Sequence, residues 1–86
     1  MFFMYIVYIL HSEFLNRYYT GFTGDSITNR LIKHLSKHKG FTGSKADWKV
    51  VYTEEYKSKK DAMLREQQIK KWKSRIMIEK LIRSIE

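Results

Sequence analysis

The residues of this 86-residue chain that could do chemistry are two tyrosines, an arginine with a histidine four positions later, and a glutamate. An arginine presents a planar fork that matches phosphate oxygens, and a histidine can transfer a proton near neutral pH. A carboxylate can bind a cation such as Mg²⁺. The chemistry that such a set could do is proton transfer and charge stabilisation at a phosphate. The residues concerned are Tyr8, Tyr19, Arg30, His34 and Glu66.

Four of these residues also have an ordinary structural interpretation. Tyrosine is common on half-buried strands, where its ring packs and its hydroxyl reaches water, so Tyr8 and Tyr19 could serve packing alone. Arg30 and His34 have the i, i+4 spacing that stacks two side chains on one helix face, and that face could simply be solvated.

Glu66 is the most informative single residue, because it points toward the apolar side of its predicted helix. Its neighbours on that side are Ala62, Met63 and Ile69. A carboxylate in such a position usually has a partner, which can be a metal ion or a cationic side chain. Arg65 lies near the same stripe, so an ion pair of Glu66 with Arg65 or a nearby lysine is the structural alternative to a metal site.

Three segments rich in β-branched and aromatic residues predict strands that would carry the tyrosines. The apolar opening run has no positively charged start or small-residue cleavage site, and it is too short to span a bilayer, so we expect a strand there. The predicted strands lie within Met1–Leu10, Arg17–Phe22 and Trp48–Thr53, and the polar segment His11–Asn16 has the length of a hairpin connection.

Three helices are predicted from apolar periodicity and capping residues. The first follows the turn after the second strand, and the segment Ser36–Asp47 then forms a loop. The second begins at Ser58, where Asp61 completes a variant of the capping box, and runs to about Trp72. Ser74 caps the third. The apolar stripes are Ile27, Leu31 and Leu35 in the first helix, and Ile78, Leu81, Ile82 and Ile85 in the third.

The resulting element order, β-β-α-β-α-α, predicts an α/β (α+β) fold in which a small three-stranded antiparallel sheet is flanked by helices. A chain of this length supports one core, so we expect a single domain over residues 1–86. It contains no cysteine, which excludes disulfides and thiolate metal sites and fits a reducing compartment such as the cytoplasm.

The charge of the chain predicts its partner. Seventeen Lys and Arg residues against nine Asp and Glu give a net charge of +8. Such an excess on a small body attracts polyanions, although a basic surface without a partner is the simpler alternative. The basic residues gather in Arg30–Lys39 and Lys70–Arg75 rather than evenly, which favours nucleic acid.

The order of these features along the chain resembles the GIY-YIG nuclease superfamily, in particular its small stand-alone branch. Ile6-Val7-Tyr8 stands where the family has Gly-Ile-Tyr, and Tyr19-Thr20-Gly21 stands for Tyr-Ile-Gly. Arg30 and His34 match the arginine and histidine of the family's first helix. Two further segments resemble the glutamate helix and the third strand of the stand-alone branch: Arg65–Trp72 and Trp48–Tyr52.

The resemblance implies an endonuclease of the GIY-YIG fold that hydrolyses DNA phosphodiester bonds with low sequence specificity and uses one Mg²⁺ or Mn²⁺ ion. By that resemblance Glu66 would hold the metal, and Tyr8 would help to take the proton from the attacking water, directly or within a network. Arg30 would neutralise charge on the scissile phosphate. Tyr19 and His34 would position water and phosphate or shuttle a proton.

The same resemblance implies DNA as the partner, with single-stranded, branched or damaged forms expected, and neither a membrane nor a small-molecule cofactor. Family nucleases often carry an asparagine downstream of the glutamate, and here the only asparagines are Asn16 and Asn29. A catalytically weak or inactive nucleic-acid-binding protein of the same fold is therefore the alternative. The lysines expected to contact the DNA backbone are Lys37, Lys39, Lys45, Lys70, Lys71 and Lys73.

Overall fold

The structure is a computed structural model, and it describes residues 4–24 and 47–84. The first predicted helix and all of the predicted loop except its last residue lie outside the described residues. The same holds for five of the predicted site residues, which are Arg30, His34, Lys37, Lys39 and Lys45.

Three antiparallel strands form one sheet: β1 (Tyr5–Ser12), β2 (Arg17–Thr23) and β3 (Trp48–Tyr56). Their order in the sheet is β2-β1-β3, so β1 is central and β2 joins it through a hairpin. The predicted three-stranded antiparallel sheet is confirmed.

Three strand ends differ from the prediction, and that of β2 differs by one residue, Thr23. The first strand continues through His11 and Ser12, which had been assigned to the connection, so the turn is confined to residues 13–16. Ser12 can lie in the strand although it is buried, because its hydroxyl donates to Asp47 Oδ1 at 2.6 Å. The third strand continues past Thr53 to Tyr56. Glu54 can lie within it because its carboxylate accepts hydrogen bonds from Tyr56 and Arg65.

The helix α1 (Lys59–Trp72) begins and ends as the sequence predicted. Ser58 is its N-cap, and the backbone N–H of Asp61 donates to the Ser58 hydroxyl at 3.3 Å. Lys73 ends the helix in the left-handed conformation, with φ of 48°.

The helix α2 (Arg75–Arg83) follows at once, and it is also capped by the predicted residue. The Ser74 hydroxyl accepts a hydrogen bond from the backbone N–H of Met77 at 3.3 Å. Arg75 ties the start of this helix to the β1–β2 turn, where its guanidinium donates to the carbonyl oxygen of Asn16 at 2.8 Å.

The central strand β1 is buried on both faces, because alternate residues of a strand point to opposite sides of a sheet. On one face Val7 packs with Ala62 and Ile69 of α1. On the opposite face Tyr8 packs with Trp48. The candidate tyrosine therefore lies on the face opposite to the one that Ala62 and Ile69 cover.

Candidate functional site

Tyr8 of β1 packs directly on Gly21 of β2, its partner in the antiparallel ladder. A Cβ atom at Gly21 would lie 2.6 Å from the Tyr8 hydroxyl oxygen and 2.8 Å from its Cζ atom. The phenol ring thus occupies the space beside the Gly21 backbone. Tyr8 is fully buried, so its hydroxyl is held inside the protein rather than on the surface.

Tyr19 lies on the same face of the sheet as Tyr8. It is two residues before Gly21 on β2, and residues two apart on a strand share a face. It pairs with Leu10 in the ladder and packs, half-buried, on the cluster formed by Tyr8, Leu10 and Trp48. The structure therefore brings the two candidate tyrosines together on one side of the sheet.

Glu66 belongs to α1, which packs on the other face of the sheet, and Lys70 links it to Tyr19. Only 16% of the Glu66 side chain is exposed, and its Oε2 atom lies 3.6 Å from the Nζ atom of Lys70 one turn later. The same Nζ atom lies 5.9 Å from the centroid of the Tyr19 ring. Lys70 thus connects the candidate metal ligand to one of the candidate tyrosines. A nearby lysine was one of the predicted alternative partners of Glu66, whereas the approach to Tyr19 was not predicted.

Of the two alternative partners predicted for Glu66, the nearby lysine is confirmed by the contact with Lys70, and Arg65 is wrong. Arg65 binds Glu54 of β3 instead, with Nε 3.0 Å from Oε1 and Nη2 3.1 Å from Oε2. The reason is helix geometry. Arg65 and Glu66 lie 100° apart, on either side of the buried stripe formed by Ala62 and Ile69, so they point toward different strands.

Glu54 is the centre of a polar network between β3 and α1. The hydroxyls of Tyr52 and Tyr56 both donate to its carboxylate, the latter at 2.6 Å. Burial acts to raise the pKa of the Glu54 carboxyl, but the hydrogen bonds from Arg65 and the two tyrosines lower it below its ordinary value. Burial and the hydrogen bond to Glu54 raise the pKa of Tyr52 to about 12. This network fixes the rotation of α1 about its axis, and so fixes where Glu66 points.

The basic residues around the end of α1 differ in their exposure and in their hydrogen-bond partners. Lys71 and Lys73 are exposed, and half of the Lys70 side chain is exposed. The guanidinium of Arg75 is occupied, because besides the Asn16 carbonyl it binds the Asn16 side-chain oxygen at 2.6 Å. Lys71 and Lys73 are therefore the cations of this cluster that face water.

The donor set near Glu66 limits which metal could bind. Within residues 4–24 and 47–84, no three or more His, Cys, Asp and Glu side chains come together as a metal cage. Glu66 offers a single hard oxygen ligand, and the Lys70 ammonium shows that positive charge is accommodated beside it. One carboxylate fits Mg²⁺ or Mn²⁺ that keeps most of its water.

The sheet, the two described helices and the tyrosine packed on a glycine form a small α/β domain. The chain belongs to the GIY-YIG nuclease superfamily, because the family model of the GIY-YIG catalytic domain matches residues 4–80, nearly the whole chain. No curated protein and no solved structure matches it. In the part of the chain that the structure describes, no helix is both long and apolar enough to cross a membrane.

Proposed function

We propose that this protein is a divalent-metal-dependent endonuclease that hydrolyses DNA phosphodiester bonds with low sequence specificity. The observation that carries the proposal is the link from Glu66 of α1 through Lys70 to Tyr19, the tyrosine that shares a sheet face with Tyr8. A largely covered carboxylate beside an ammonium that also approaches a phenol ring suits a reaction in which negative charge develops on a phosphate.

In this proposal Glu66 holds one hydrated Mg²⁺ or Mn²⁺ ion, which when bound supplies positive charge at the phosphate. Tyr19 is half-buried and contacts the Lys70 ammonium, so it positions water or phosphate at the edge of the site. Tyr8 is fully buried, so we assign it a role within a hydrogen-bonded network that receives the proton, rather than direct contact with bulk water.

Two further roles rest on the family resemblance, because the residues lie outside the described part of the chain. Arg30 neutralises charge on the scissile phosphate, and His34 positions phosphate or moves a proton. Both follow in sequence from β2, the strand that carries Tyr19.

DNA binding in this proposal is electrostatic. Lys71 and Lys73 face water at the end of α1, next to the lysine that contacts Glu66. Contacts of this kind position the phosphate backbone and carry no base information, which is why low sequence specificity is expected. Single-stranded, branched or damaged DNA, of the kind met in repair or recombination, is the proposed substrate. The same role is proposed for Lys37, Lys39 and Lys45.

A catalytically weak or inactive DNA-binding protein is the second candidate, and the positions of the two asparagines favour it. No asparagine follows Glu66 in the sequence. Asn16 lies in the β1–β2 turn, where both of its oxygens bind Arg75, so it serves the fold. Asn29 lies outside the described residues.

The Glu66→Gln variant tests the proposal, because it keeps the side-chain size and removes the charge that holds a cation. We expect cleavage of single-stranded, duplex and branched DNA in Mg²⁺ or Mn²⁺ to fall by about two to three orders of magnitude, with melting temperature and DNA binding retained. Glu55→Gln, which changes an exposed glutamate of β3, is the matched control and should leave cleavage unchanged. Undiminished turnover in folded Glu66→Gln would contradict the metal assignment, and no cleavage by the wild type would favour the binding protein.

A further inference from the structure

We propose that Lys70 is the resident counter-cation of Glu66, that it competes with a divalent cation for this carboxylate, and that it transfers to a DNA phosphate when the site is loaded. This inference rests on the proposed function, in which Glu66 holds the metal. It gives Lys70 a role that differs from that of the neighbouring lysines, which would contact only the backbone of DNA.

The two side chains of the Glu66–Lys70 pair differ in how far they are exposed. Glu66 is 16% exposed and Lys70 is 51% exposed, so the glutamate side chain is largely covered while half of the lysine side chain faces water. The lysine is therefore the partner that can leave. Its separation from Glu66, 3.6 Å, is longer than the 2.7–2.9 Å that is typical of a tight charge-assisted hydrogen bond.

The second contact of Lys70, with the Tyr19 ring, is also long. Its Nζ atom lies 5.9 Å from the Tyr19 ring centroid, near the outer limit of a cation–π interaction. The ammonium is thus held near the site by charge and not by fixed geometry. A divalent cation carries twice the charge and attracts the same carboxylate more strongly, whereas it repels the ammonium at a distance of a few ångströms.

Substrate should relieve this competition. A phosphate placed at the site offers Lys70 a new anionic partner and so removes it from Glu66. Metal and DNA would then bind cooperatively, and by thermodynamic reciprocity each would strengthen the binding of the other by the same factor. Without DNA, the intact Glu66–Lys70 pair would keep the affinity for metal low.

The experiment measures Mn²⁺ binding to the full chain without DNA, by titration calorimetry or by the electron paramagnetic resonance signal of free Mn²⁺. Lys70→Gln removes the competing cation, and Lys71→Gln removes the same charge from an exposed neighbour for which the structure shows no contact to Glu66. We expect Lys70→Gln to tighten binding by roughly five- to twentyfold, and Lys71→Gln by less than about twofold, because a like charge acts strongly only at short range.

Two further variants complete the test. Lys70→Arg keeps the charge and should bind Mn²⁺ like the wild type. Adding a short DNA should tighten Mn²⁺ binding in the wild type and much less in Lys70→Gln. Melting temperatures check that each variant is folded, which is expected because Lys70 is half exposed.

The outcomes separate this proposal from the one on which it rests. If Glu66→Gln abolishes Mn²⁺ binding but Lys70→Gln and Lys71→Gln bind equally well, the competition by Lys70 is overturned and the metal assignment stands. If Mn²⁺ binds with the same affinity to Glu66→Gln, or if no variant binds it, the metal assignment fails and the competition fails with it. Tighter binding by Lys70→Gln alone supports both.

Discussion

Gly21 lies directly opposite Tyr8 in the β1–β2 ladder, and the phenol ring of Tyr8 fills the space that a side chain at position 21 would need. None of the glycines that the structure describes has a positive φ, so glycine is required here by space and not by backbone conformation. The second half of the family motif is thus explained physically, because its glycine makes room for the tyrosine of the first half.

The first prediction concerns Gly21→Ala. A methyl group would approach the Tyr8 hydroxyl and Cζ atoms far below van der Waals distance, and the buried ring has little room to move. We expect the free energy of unfolding to fall by about 1–3 kcal/mol, the usual cost of overpacking. Cleavage should fall further than the folded fraction explains, because the Tyr8 hydroxyl is displaced. Chemical denaturation and single-turnover cleavage measure the two effects.

The control for this prediction is the double variant Tyr8→Phe/Gly21→Ala. Removing the hydroxyl removes the shortest of the contacts with the new methyl group. The stability cost of the pair should therefore be smaller than the sum of the single costs. Additive costs would show that Gly21 and Tyr8 do not constrain each other in this way.

Much of the described fold could be predicted from the sequence, because local signals decide it. The hydroxyls of Ser58 and Ser74 cap the two helices as their positions before helical segments predicted. The strand ends could not be placed in the same way. Ser12 and Glu54 are polar, and each lies within a strand because a residue distant in sequence binds it, namely Asp47 and Arg65. A contact of this kind leaves no local pattern.

The candidate site follows the same division between contacts that have a local signal in the sequence and contacts that depend on packing. Strand alternation places Tyr8 and Tyr19 on a common face once the hairpin register is known. The contact between Glu66 and Lys70 also had a signal, the i, i+4 spacing of opposite charges on a helix, which is why a nearby lysine was an alternative partner for Glu66. The contact of Lys70 with Tyr19 depends on how α1 packs on the sheet, and no spacing in the sequence reveals it.

The second prediction concerns the network that orients α1. Glu54→Gln removes the carboxylate that binds the Arg65 guanidinium at two positions and leaves a largely covered cation without its charged partner. We expect a loss of about 1–3 kcal/mol in unfolding free energy, measured by urea denaturation. Glu55→Gln changes the exposed neighbour and should have almost no effect. Equal stability of the two variants would show that the network does not hold α1 in place.

The third prediction is a loss of stability at alkaline pH. Burial and the hydrogen bond to Glu54 raise the pKa of the Tyr52 phenol to about 12 from an ordinary 10.0. The folded state therefore holds this proton more tightly than the unfolded chain does. The stabilisation it gives is complete below pH 10.0 and is lost as the pH rises toward about 12.

Thermal unfolding of the wild type and of Tyr52→Phe between these two pH values measures this loss. The variant has no phenol at position 52, so its melting temperature should decline less steeply with pH. Part of the decline should remain, because the pKa of Tyr56 is also raised by burial and by its hydrogen bond to Glu54. Parallel declines in the two proteins would contradict the assignment to Tyr52.

The last prediction concerns DNA binding at the end of α1. Binding through phosphates releases counterions, so the logarithm of affinity should fall steeply with the logarithm of salt concentration and should differ little between two unrelated sequences. Lys73 is exposed next to Lys71, and Lys73→Gln should reduce the slope by about one. Lys60→Gln removes the same charge at the opposite end of the helix, about 20 Å away at 1.5 Å per residue, and should leave the slope nearly unchanged. Fluorescence anisotropy across a salt series measures all three proteins. If the two variants reduce the slope of log affinity against log salt concentration equally, binding follows the net charge of the protein and not the lysines at the end of α1. A strong preference for one of the two DNA sequences would contradict recognition of the backbone.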